Sequence, residues 1–141
     1  MSGQRDAAFE ALRRYDVSPQ RVRLAAESFN SVFRVTTAAA VYALRVGAAL
    51  QIHPEGTAAV EAAWHRRLHQ RGVCVPDVMA STDGEFATLV GDGRAGPGSR
   101  VCLLFDWVAG RSLRTRMTER RAAMLGRLSA RLQQDAAQWS L

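Results

Sequence analysis

Apolar residues recur at helical spacing in three parts of the chain and at strand spacing between them. From Gln4 to Tyr15, the residues Ala8, Phe9, Leu12 and Tyr15 fall three or four apart, which predicts an amphipathic helix ended by Ser18 and Pro19. Three β-like runs follow, Arg21 to Ala26, Val32 to Thr36 and Val41 to Val46. The short connection Thr37 to Ala40 suits a hairpin, so three antiparallel strands are expected. A second helix is expected between Pro54, placed like a first-turn proline, and Gly72, placed like a terminal glycine, with Val60, Trp64 and Leu68 recurring every four residues.

Past Val75-Pro76 the pattern predicts strands over Asp77 to Ser81 and Phe86 to Val90, divided by a turn in which Gly84 supplies a positive φ. Gly91 to Gly98 is rich in glycine and reads as a surface loop. The unbroken apolar run inside Val101 to Val108 predicts a buried strand, broken at Ala109-Gly110. Thr118 is the expected N-cap of a last helix carrying Leu125, Leu128, Leu132 and Ala136. This order gives an α+β fold, with helices gathered on an antiparallel sheet of about five strands.

Composition narrows the chemistry. The chain has 141 residues, the size of one domain, and a formal charge of +6. Every one of its 19 basic residues is Arg, so lysine Schiff bases, a phosphate-loop lysine and a lysine general base are excluded. The arginines do not form a nucleic-acid stripe with interleaved aromatics; the densest group, Arg111, Arg114, Arg116, Arg120 and Arg121, reads as a solvated helix entrance. No apolar run is long enough for a membrane span and Met1 to Phe9 lacks a signal-peptide core, so a cytoplasmic protein is expected. Cys74 and Cys102 read as small buried hydrophobes. His65 and His69, four apart, lack a third metal ligand nearby in sequence and read as members of an exposed helix face, and no Ser sits in a G-x-S-x-G elbow.

The order and spacing of several short pieces resemble the amino-terminal lobe of the aminoglycoside phosphotransferase and choline kinase family, whose fold is protein-kinase-like. Those pieces are Asn30 to Val35, Tyr42 to Val46, Glu61 to Trp64 with Leu68, and Gly72 to Pro76. They continue in Leu103 to Leu113, which is similar to the family's hinge, and in Leu125 to Leu132, similar to the helix after it. There the family usually closes in Leu-His and this chain has Leu132-Gln133. The resemblance implies a nucleotide-binding lobe over residues 1–108, and a hinge exit plus the first helix of a second lobe over 109–141.

It also implies site residues. The loop Glu27 to Ser31 would cover ATP phosphates, with Ser28, Asn30 and Ser31 as donors, although it holds no glycine and Asn30 equally serves a tight turn. Arg45 takes the post of the basic residue on the third strand and Glu61 that of its helical partner, so the two are expected to form an ion pair. Phe105, Asp106, Trp107 and Val108 would read adenine through backbone groups, with Leu104, Val46 and Val35 as apolar walls.

The reaction further needs an H-x-D loop and a Mg²⁺-binding Asp. His53, His65 and His69 are each followed two residues later by Glu55, Arg67 and Arg71, and the only Asp after the hinge is Asp135, which looks like helix surface. A catalytically incomplete, nucleotide-binding chain is therefore expected. The alternative is a stand-alone regulatory or binding module without nucleotide chemistry. Either a separate second-lobe chain or self-association through Trp107, Leu113 or Trp139 is the expected partnership.

Overall fold

The computed structural model describes residues 2–49, 53–91, 98–110 and 116–139. Its elements, in chain order, are helix α1 (Ser2–Leu12), strands β1 (Arg21–Glu27), β2 (Ser31–Thr36) and β3 (Val41–Val46), helix α2 (Thr57–Gln70), strands β4 (Thr88–Val90) and β5 (Arg100–Asp106), and helix α3 (Glu119–Ala137). The strands form one antiparallel sheet in the order β1-β2-β3-β5-β4. This is the α+β architecture expected from the sequence. No helix among the described residues is long and apolar enough to cross a membrane.

Each face of the sheet has its own core. On the outer face α1 buries Ala7, Ala8, Ala11 and Leu12 against Phe33, Val35, Leu44, Val46, Val90, Cys102 and Leu104, with Tyr15 closing the end. On the other face, called the cleft face below, Ala62 of α2 packs with Val78, Leu103 and Phe105. Successive residues of a strand point to opposite faces, so the single run Cys102 to Phe105 supplies both cores.

Several boundaries differ from the pattern. Helix α1 stops at Leu12 because Arg14 and Tyr15 close three-residue turns, donating to the Ala11 and Leu12 carbonyls; Tyr15 reaches the core from the turn. Pro54 lies before α2 and its carbonyl accepts from the Thr57 N–H and hydroxyl, while Gly56, at φ 86°, is the cap. The buried side of α2 runs through Ala62 and Leu68, and Val60 is exposed. The expected strand Asp77 to Ser81 reduces to one bridge, Val78 to Phe105, because β5 already pairs with β3 on one side and offers only its last residues on the other. Gly84 and Gly72 do adopt positive φ, and Thr118 does cap α3 through the Arg121 N–H. Of the Gly91 to Gly98 loop, residues 92–97 lie outside the described residues.

The cysteines divide. Cys102 is fully buried and burial pushes its thiol up to about 12, whereas Cys74 is exposed, contrary to expectation. It sits on the loop leaving α2, which His65 and His69 tether through the Pro76 and Val75 carbonyls. Those histidines are thus loop anchors, and His65 also sets its ring edge on Phe105.

Ser31 is the first residue of β2 on the outer face, opposite Val46, where it is fully buried and its hydroxyl finds no partner among the described residues. A buried hydroxyl without a hydrogen bond carries its desolvation cost uncompensated, so Ser31→Ala is expected to raise stability by about 1 kcal/mol in urea denaturation.

Candidate functional site

Strand β3 presents Arg45 on the cleft face, between Val32 of β2 and Leu103 of β5 in register. One turn and a half into α2, Glu61 meets it. Arg45 donates from Nη1 to Glu61 Oε1 at 2.6 Å and from Nη2 to Oε2 at 2.5 Å, a forked pair with both side chains partly shielded. The guanidinium beside it holds the Glu61 carboxyl below its usual range against the opposing effect of burial. The guanidinium also lies 5.6 Å from the centre of the Phe105 ring. Of its five N–H donors two are engaged by Glu61, which leaves three for an anion.

The pair stands at the wall of a cleft of about 690 Å³. Val101, Leu103, Ala87 and Leu89 give it an apolar lining, Phe29 and Asn30 cover one side, and Glu55 and Glu85 stand exposed on the rim. Gly47 lines it too. A Cβ there would come within 2.9 Å of the Val101 carbonyl, so the close β3–β5 approach at this end requires glycine.

The sequence-predicted residues divide by face. Arg45, Glu61 and Asn30 come together in the cleft. Ser28 closes the three-residue β1–β2 connection, its N–H donating to the Asn30 carbonyl. Ser31 points to the opposite face. Leu104, Val46 and Val35, expected as walls of a base pocket, are instead buried under α1 on the outer face, and Leu103 and Val101 are the apolar residues that line the cleft. At the end of β5, Phe105 is buried, the Asp106 N–H donates to the Asp77 carbonyl and the Trp107 N–H to the Val41 carbonyl. The Asp106 carboxylate accepts from the Asp77 N–H at 2.6 Å, and Val108 is exposed.

The sequence reading missed a second polar constellation. Asp135, taken for helix surface, is buried at 7% exposure and joins α3 to the far side of α2. It accepts from Arg67 Nε at 3.0 Å, from Trp64 Nε1 at 3.3 Å and lies 2.8 Å from Arg71 Nη1. Trp139, expected to be exposed, stacks on Trp64 with ring centres 6.4 Å apart. Leu113 lies outside the described residues. The signal was present: Trp64 and Arg67 of α2 share one stripe with Arg71 at its C-cap, and Asp135 interrupts the stripe Leu128, Leu132 of α3 that continues to Trp139 just past its end.

Hydrogen bonding from Arg67 holds the Asp135 carboxyl below the ordinary carboxylate range. A depressed carboxyl contributes to docking above its unfolded value, near 4, and that contribution is lost as pH falls through its lower folded value. Acid titration followed by near-ultraviolet circular dichroism of the Trp64–Trp139 pair should therefore show α3 releasing only below about pH 4. In Asp135→Asn the released signal should already be present at neutral pH and should not respond to that titration.

The phosphotransferase enzyme family model matches residues 21–139. Among solved structures, a microcompartment-associated aminopropanol kinase superposes with TM-score 0.74 at 27% identity, covering 93% of this chain and 40% of its own. An amicoumacin kinase, solved with AMP-PNP, Ca²⁺ and amicoumacin, gives TM-score 0.74 at 22% identity, over 98% of this chain and 41% of its own. A spectinomycin phosphotransferase, solved with ADP and spectinomycin, shares the fold at TM-score 0.57 and 8% identity, over 88% of this chain and 35% of its own. This chain thus spans about 40% of the length of the first two. A search of curated proteins finds no match. With the family match running from β1 through both faces of the sheet to the end of α3, the chain belongs to the phosphotransferase enzyme family.

Proposed function

We propose that this chain is the nucleotide-binding lobe of an ATP-dependent small-molecule phosphotransferase. Residues 1–108 form that lobe; 109–141 form the hinge exit and the first helix of a second lobe. The observation that carries the reading is the forked Arg45–Glu61 pair at the wall of the cleft. In kinase-like phosphoryl transfer a basic residue on this strand holds the α- and β-phosphates while a helical Glu fixes its position. Arg45 keeps three N–H donors for that task, and a guanidinium binds phosphate oxygens in the same forked manner. The apolar side, Val101 and Leu103, suits a base, and Asn30, lining the same cleft, carries a side-chain amide that can donate to a phosphate.

Bound nucleotide supplies the phosphoryl group; this chain's own residues bind and orient it. They do not suit a metal. Among the described residues no cluster of three His, Cys, Asp or Glu exists, Glu61 is engaged by Arg45, and Asp135 is enclosed by guanidinium groups. A base to orient the accepting hydroxyl is likewise missing from the sequence, which has no H-x-D. Transfer therefore needs residues from a second lobe.

A glycine-free β1–β2 connection, with Ser31 turned to the outer face, favours the second reading, a binding module without nucleotide chemistry. Thermal unfolding with MgATP separates the two. A nucleotide at ten times its Kd adds about 1.4 kcal/mol, a rise of roughly 3–6 °C for a domain of this size. No rise at millimolar MgATP sinks the nucleotide reading.

A further inference from the structure

A second cavity lies on the same face as the cleft but at the opposite end of the sheet. It is a groove of about 470 Å³ lined by Arg21, Arg23, Leu24, Ala25, Arg34, Thr36 and Trp107. The register explains its charge. Arg21 stands opposite Thr36 and Arg23 directly opposite Arg34, and the irregularity between Leu24 and Ala26 sets Ala25 into the wall. Like charges facing each other across two strands repel. Neither Arg21 nor Arg23 has a carboxylate partner among the described residues, and Arg34 is held instead over the Trp107 ring, 5.0 Å from its centre. Arginine does not lose its proton in proteins, so the groove stays cationic at every working pH.

We infer that this groove is a polyanion site, taking inorganic or organic polyphosphates. A multivalent anion placed between Arg23 and Arg34 turns their repulsion into two attractions, and Arg21 adds a third fork. A univalent anion would leave most of the repulsion in place. The cleft residues Asn30, Arg45 and Glu61 take no part; Trp107, whose backbone the nucleotide reading also uses, is the one shared residue and contributes its ring here.

The cation over the ring gives a direct readout, because an anion that engages Arg34 changes the surroundings of Trp107. Titration with sodium tripolyphosphate at fixed ionic strength should change tryptophan fluorescence saturably. Trp107→Phe should abolish the change. Arg21→Gln with Arg23→Gln, both at exposed positions, should weaken binding by about tenfold or more, the loss of one or two charge-assisted contacts. Arg45→Gln should leave it within about twofold, below the effect of any lost contact. The inference is overturned if Arg45→Gln removes the response while the Arg21/Arg23 variant keeps it, which would put the anion in the nucleotide cleft. It is also overturned if tripolyphosphate gives no saturable response, or if only a single-stranded oligonucleotide gives one.

Discussion

Arg45→Met is expected to remove the response to nucleotide and to lower stability at the same time. The substitution keeps the stem beside Phe105 and deletes the fork, so the Glu61 carboxylate loses both of its short charge-assisted hydrogen bonds. Arg45 is 25% exposed and Glu61 33%, so solvent screens part of the loss; a cost on the order of 1–2 kcal/mol is expected in urea denaturation at neutral pH. The three remaining donors vanish too, which should weaken MgATP by about tenfold to a hundredfold and flatten its thermal shift. Acid sharpens the test. Because Arg45 holds the Glu61 carboxyl low, the pair stabilises the fold above the unfolded carboxyl value and ceases to as pH falls through the folded one. The stability gap between wild type and Arg45→Met should therefore narrow below about pH 4. A gap that stayed constant to pH 3 would show that lost stem packing, and not the ion pair, is responsible. Arg45→Lys should recover part of the nucleotide binding and little of the stability, since an ammonium cannot bridge both carboxylate oxygens in a plane.

Leu104→Ala is expected to be among the most damaging single truncations for the fold while leaving the cleft intact. Leu104 is fully buried between the sheet and α1, and truncating such a leucine costs about 2–5 kcal/mol through lost transfer energy and the cavity left behind. At temperatures where the variant remains folded, its affinity for MgATP should equal that of wild type, because the side chain lies on the face away from Arg45. Leu103→Ala makes the complementary case. Leu103 is just as buried but lines the cleft, so its truncation should cost stability and nucleotide affinity together. Equal losses of affinity in the two variants would contradict the assignment of faces.

That assignment is where reading the sequence ran out. Arg45 and Glu61 were legible as partners because a lone Arg in an apolar strand beside a helix with one central Glu admits few arrangements, and the family resemblance pointed to the same pair. The three-strand meander, the positive-φ glycines and the Thr118 cap depend on local chemistry and were legible for that reason. Which face a residue takes in Val101 to Phe105 was not, since a strand buried on both sides shows no alternation. The wall assigned to Leu104 followed from that ambiguity; Val46, next to Arg45, and Val35 and Ser31, which alternate with Val32, take the outer face by the strand period alone. Asp135 was missed for a different reason: each stripe is legible by itself, but Arg67 and Trp64 are 68 and 71 residues away from it in sequence, and neither stripe names the other as its partner. The strand expected over Asp77 to Ser81 failed through competition, because β5 had already given most of its edge to β3 and β4.

The unequal burial of the two cysteines makes the wild-type chain ready for site-selective labelling. A thiol reagent meets Cys74 in solvent, while Cys102 is enclosed and its thiol stays protonated. A dye on Cys74 rides on the segment that His65 and His69 tie to α2. It would act as an optical reporter of movement in the helix that carries Glu61, in a protein with no residue altered.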